Sequence, residues 1–223
     1  TANTATFSNT VQNNLTQLAS IALPFNYFPN LKDGSITWFK NNLPYMVIGQ
    51  RLPGELFKDV YEMTYNDKRL MIGMKYRIRT AGGEVLKIGE RSNIQYTDRS
   101  LFYATYKTNA VKEMTHYDEI VTSLRNSVKE EIKYDAYSFE AHGRANDYVL
   151  QMRNSMRPDE VVFQHYSDVK FKDQENENAT GYLVEERHVG MDRLGNIIID
   201  PETLEAALDY TIKYRRSDIQ YAQ

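Results

Sequence analysis

The sequence predicts an α+β fold: two β-hairpins or short antiparallel sheets, a long central helix or helix pair, and a helix at each end. Three observations carry that expectation. Residues 70–78 alternate strictly between apolar and polar side chains, and Leu86 and Ile88 resume the pattern after Gly82-Gly83. Apolar residues between Tyr117 and Met156 mark a stripe in which most neighbours stand three or four apart. Asp200-Pro201-Glu202 places a cap, a first-turn proline and a first-turn acid in the order that opens a helix.

The first element is a helix over residues 8–23. Val11, Leu15, Leu18 and Ile21 fall on one face, Ser8 is the cap and Pro24 ends it. It either docks on its own domain or is an arm that orders against a neighbouring subunit, which makes Val11, Leu15 and Leu18 candidate partner-binding residues. Domain boundaries follow: residues 1–23 as helix or arm, and residues 24–223 as one α+β domain with no internal boundary.

Residues 25–50 are aromatic and broken by Pro29, Lys32-Asp33-Gly34 and Asn41-Asn42, so short strands are expected at residues 35–40 and 45–48. Residues 55–63 fit a short helix or a strand. Residues 69–91 form a hairpin. A loop of odd length would pair Ile78 with Leu86 and Tyr76 with Ile88, keeping the apolar face together, whereas a two-residue loop would set Ile78 against Lys87 and mix the faces. The other face then gathers Lys75, Arg77, Arg79 and Lys87. Four cations side by side repel one another, so they either meet an anionic partner or are paired with acids elsewhere in the chain.

After a short strand at residues 101–106, helical periodicity runs from residue 115 to 155 through Tyr117, Ile120, Val121, Leu124, Val128, Ile132, Phe139, Val149, Met152 and Met156, with Gly143 as a point of division. A stripe this long exceeds the ordinary helix of about 11–12 residues and points to a bundle, a helical hairpin or an oligomer seam. Pro158 closes it. A strand at residues 161–172, a polar loop at 173–180 and a second hairpin from residues 182–191 and 194–199 come next. The last helix presents Leu204, Ala207, Leu208, Thr211 and Ile212.

Function is constrained mainly by exclusion. The chain has no cysteine, which removes thiol nucleophiles, iron–sulfur clusters and Cys-based zinc sites. With 27 Lys and Arg against 30 Asp and Glu, no global charge favours nucleic acid or a membrane surface. The four histidines stand in no metal-ligand spacing; Glu131, Asp135 and His142 would be the nearest approach, and they fit a solvated charged face as well. No phosphate loop or nucleophile elbow is present, so neither a catalytic residue nor a cofactor is expected. No signal peptide or spanning segment is visible at the sequence level, which implies cytoplasmic synthesis with no membrane partner.

Seventeen Tyr against one Trp suit half-wet contact surfaces. The expected function is therefore a non-catalytic assembly subunit that oligomerises with itself or with other structural chains, in a virus or bacteriophage particle. The alternative is a nucleic-acid-binding protein or metal-dependent nuclease using the basic hairpin 69–91, with Glu84 and Lys87 as half of a site.

Overall fold

Strands, and no helix, make up the regular structure of the described residues. The structure is a computed structural model that describes residues 26–29, 34–97, 113–140, 143–171, 179–217 and 219. The α+β expectation is thus corrected to an all-β antiparallel fold. Twelve strands follow in order: β1 Asn26–Pro29, β2 Ile36–Lys40, β3 Leu43–Leu52, β4 Leu56–Tyr65, β5 Met71–Thr80, β6 Val85–Tyr96, β7 Met114–Ser123, β8 Lys129–Phe139, β9 Ala145–Asn154, β10 Arg157–Phe171, β11 Ala179–Gly190 and β12 Asp209–Arg216. Each is hydrogen-bonded to the strands before and after it, so spatial order equals sequence order. The helix expected over residues 8–23, with Val11, Leu15 and Leu18, and the strand expected at 101–106 lie outside the described residues.

The expected central helix is β7, β8 and β9. Its three-and-four spacing mixes two faces and two turns: Ile120 is 42% exposed on its strand, while Leu124 and Met156, 48% and 74% exposed, sit in turns. The pattern that folds is alternation, with Ile132 opposite Met152, Tyr134 opposite Leu150 and Ala136 opposite Tyr148. β-Branched and aromatic residues such as Thr115, Tyr117, Val121 and Thr122 fit the pleated surface better than a helix interior. Between β8 and β9 the Gly143 N–H bonds the Glu140 carbonyl, so that glycine divides two strands and not two helices.

The C-terminal helix is also replaced. Asp200 does cap, its Oδ1 accepting from the N–H groups of Glu202 and Thr203. Leu204 then turns left-handed at φ 59° and the Asp200 N–H closes on the Glu205 carbonyl, so the chain makes a loop and enters β12. The second hairpin keeps its turn at residues 192–196, where the Asp192 Oδ1 accepts from Leu194 and Asn196, but its outgoing arm shrinks to the bridges Met191–Ile197 and Ile199–Ala206.

In the first hairpin the register is corrected, and a β-bulge is the reason. Beside the turn Arg79 faces Val85, in the register expected from the odd loop. An extra residue at Leu86 then shifts the pairing, so Ile78 meets Lys87, Arg77 meets Ile88 and Tyr76 meets Gly89. Gly89 is what permits this: a Cβ there would sit inside the Tyr76 ring, which is buried over it. Leu86 offers its carbonyl to the Leu124 N–H at 2.9 Å.

The chain divides into two units, residues 1–92 with 121–127 and residues 93–120 with 128–223. In the first, the core is Ile36, Trp38, Met46 and Ile48, against which Tyr45 and Tyr61 pack. The hairpin between β2 and β3 turns on Asn41 and Asn42, both left-handed at φ 53° and 60°, the two-residue geometry that matches strand twist. In the second unit full burial is confined to a few side chains, Val161, Val184 and Val189 among them, and every residue of β9 is half-buried on both faces. The substantial contacts among the strands of that unit join sheet neighbours, such as β8 with β9, β9 with β10 and β10 with β11. Among the described residues no helix is long and apolar enough to cross a membrane.

Candidate functional site

The registers of the second unit bring one residue type together across five strands. Tyr117 of β7 stacks on Tyr134 of β8 with ring centroids 4.8 Å apart and planes 11° off parallel. Tyr148 of β9 and Tyr166 of β10, directly opposed in the ladder, stack at 4.8 Å and 9°. The diagonal neighbours tilt instead: Tyr134–Tyr148 at 5.4 Å and 39°, Tyr166–Tyr182 at 5.4 Å and 58°. Alternation places Val162, Val184, Ile212 and Tyr214 on this same face, with Val184 opposite both Tyr166 and Tyr214. Each aromatic pair contributes about 0.5–1.5 kcal/mol beyond its buried area, so the ladder adds cohesion across the strands. Burial, then the neighbouring phenols, push the Tyr148 hydroxyl pKa far above its ordinary value, and burial raises Tyr166 too.

Beside the ladder lies a charged cluster. His188 donates or accepts through Nδ1 to Glu160 at 2.6 Å and through Nε2 to Glu186 at 2.8 Å, while its ring stacks on Tyr210 at 4.4 Å. Burial opposes a charged imidazole here, but the two carboxylates outweigh it and raise the His188 pKa. The hydrogen bond from His188 holds Glu160 and Glu186 below the usual carboxylate range, with Arg157 and Gln164 assisting. A ring with a carboxylate at each nitrogen has both nitrogens occupied, which suits a structural clamp more than a free general base.

The opposite face is mixed, with Val161 and Val189 buried among polar side chains. It carries the pairs His116–Asp135 at 2.7 Å and His165–Asp147 at 2.8 Å, and a cleft of about 700 Å³ lined in part by Asp118, Lys129, Glu131, Lys133 and Arg153. Lys129 and Glu131 neutralise each other at 2.8 Å. Of the metal candidates, Glu131 thus holds Lys129, Asp135 holds His116, and His142 lies outside the described residues. Among the described residues no three His, Asp or Glu side chains are grouped to hold a metal ion.

In the first unit the basic hairpin residues find acids on β4. Asp59 is fully buried and accepts from Arg77 Nε and Arg79 Nε at 2.8 Å each and from the Gly49 N–H at 2.8 Å. Burial raises its pKa, but the two guanidinium groups and Gly49 more than reverse that and hold it low. Arg79 is itself buried, and Lys75 pairs with Glu62 at 2.6 Å. Lys87 is exposed, as is Glu84 in the turn. The four cations are not one surface: two share a buried carboxylate.

Comparison with protein families, curated proteins and solved structures finds no match. Chemistry must therefore be judged from the residues alone. The most organised surface is the tyrosine face, an arrangement that can bind by stacking and by phenol hydrogen bonds. Sequence reasoning missed it because each tyrosine is ordinary where it stands. The signal was the recurrence of Tyr117, Tyr134, Tyr148, Tyr166 and Tyr182 at intervals of 17, 14, 18 and 16 residues, one strand and turn apart.

Proposed function

We propose that this chain is a non-catalytic assembly subunit that works by surface contact with copies of itself or other structural chains. The observation that supports this is the tyrosine face of the second unit, where five rings on five neighbouring strands stand in mutual contact. Large aromatic area with few rotatable bonds and a polar tip is the composition of contact surfaces. A virus or bacteriophage particle is the setting that the Tyr-rich, cysteine-free composition favours.

The nucleic-acid alternative is less favoured by charge. The residues of the first unit include twelve Lys and Arg against seven Asp and Glu, a net +5, while those of the second include fifteen against twenty-three, a net −8. The rings that could stack on bases thus sit in the acidic unit, where phosphate is repelled. In the basic unit, Arg77 and Arg79 are committed to Asp59.

The test is sedimentation velocity of the full chain beside a Tyr148→Ser/Tyr166→Ser variant, with circular dichroism as the check on folding. Association that weakens in a folded variant supports the proposal. Salt-sensitive binding of single-stranded DNA by a chain that does not self-associate overturns it.

A further inference from the structure

The tyrosine face runs to β12, and β12 is the last strand in the order. It is eight residues long and exposed along nearly its whole length. Tyr210 and Ile212 are 43% and 47% exposed on the aromatic side. Six of the twelve exposed large hydrophobic side chains among the described residues, Leu194, Ile197, Ile199, Leu204, Tyr210 and Ile212, fall in this last part of the chain. A long edge strand with apolar side chains is a template for pairing unless something blocks it.

We infer that β12 pairs antiparallel with β12 of a second copy, centred on Ile212, joining the second units of two chains edge to edge. The inference rests on the assembly reading above and names its partner. The sequence of the strand is complementary to itself in this one register. A two-fold axis perpendicular to the sheet keeps the aromatic faces on one side, so a residue must meet one of its own parity. Centring on Ile212 sets Ile212 against its own copy and Tyr210 against Tyr214 twice, all on the aromatic face. On the opposite face Asp209 meets Arg215 twice and Thr211 meets Lys213.

Those charges also fit the pairs already made within each chain. Asp209 binds Arg187 at 2.6 Å and Arg215 binds Asp168 at 3.2 Å. Pairing would extend each into an alternating row, Arg187–Asp209–Arg215–Asp168, with no like charges opposed. Other registers do worse. Centring on Lys213 sets Lys213 against itself, which is unfavourable across strands. Centring on Thr211 shortens the overlap and loses both the Tyr210–Tyr214 and the Asp209–Arg215 contacts.

The experiment exploits the absence of cysteine. Ile212→Cys introduces one thiol, and directly opposed residues of antiparallel strands lie roughly 4.5–5.5 Å apart at Cα, inside the range a disulfide spans. Mild oxidation is expected to convert the Ile212→Cys chain to a covalent dimer, while Leu194→Cys, at a position 88% exposed in a turn, stays monomeric. Without oxidation, the unaltered chain should sediment at twice the monomer mass across the micromolar range, and Ile212→Lys, a change at an exposed position, should return it to monomer. Equal cross-linking of both cysteine variants, or no cross-linking of the Ile212→Cys chain, overturns the register. Association that survives Ile212→Lys overturns the edge pairing alone, whereas an unaltered chain that never associates overturns the assembly reading beneath it.

Discussion

Asp59 shows how one residue can hold a segment together. Its carboxylate is buried, and desolvating it is offset by the donors from Gly49, Arg77 and Arg79 described above. Gly49 can reach because a bulge in β3 puts it at φ 78° between the pairs Val47–Val60 and Gln50–Lys58. Asp59→Ala would leave the Arg79 guanidinium buried without its carboxylate, so a loss of about 3–5 kcal/mol is expected from urea unfolding. Arg79→Glu, which would be mild on an exposed basic face, should unfold the first unit by setting two carboxylates together. His188 sets the pH response of the second unit. Its folded pKa is raised above the ordinary 6.5, so its contribution is complete below that value and is lost as pH rises through the folded pKa. Glu160 and Glu186 are lowered from 4.5, so theirs is present above that value and lost as pH falls through their folded pKa values. Melting temperature should therefore peak between these limits, and His188→Gln should flatten the decline on the alkaline side.

Among the elements, the turns were the most legible in the sequence. Asn41-Asn42, Pro53-Gly54 and Asp192 to Asn196 all turn the chain where their residue types require it, and the strands at residues 35–40 and 45–48 and in the first hairpin are present. Replacing both Asn41 and Asn42 by Ala should cost about 1–2 kcal/mol for each left-handed position, read as a lower denaturation midpoint. What misled was periodicity. In β7 to β9 polar residues such as Glu119, 7% exposed, take inward positions, and apolar ones such as Ile120 face out, so the alternation is blurred and the three-and-four spacing of the remainder imitates a helix. The register of the first hairpin failed for a different reason: the bulge at Leu86 depends on Gly89 lying under Tyr76, a tertiary fit that no count of loop residues shows. The tyrosine ladder left only its recurrence interval in the sequence, because its partners are separated by a whole turn and strand and only the registers bring them together.

At the scale of the whole molecule, burial is uneven. Val161, Val184 and Val189 sit on β10 and β11, whereas β9 has no fully buried residue and β12 is exposed. Amide hydrogen exchange should therefore be slowest around those three valines and fastest in β12, by more than the spread within either strand. Uniform protection across the second unit would mean that another layer covers it.

Within each unit the described strands pair with their sequence neighbours, so each unit behaves as a row of nearest-neighbour couplings. Strands joined by tight turns, such as β2 with β3 and β8 with β9, need only a short loop to be closed, so folding can zip outward from any of those hairpins. The length of such a row is not fixed by topology. A hairpin added or removed between turns would lengthen or shorten the row without re-threading the remainder, as in a repeat protein, where stability is a sum over adjacent units.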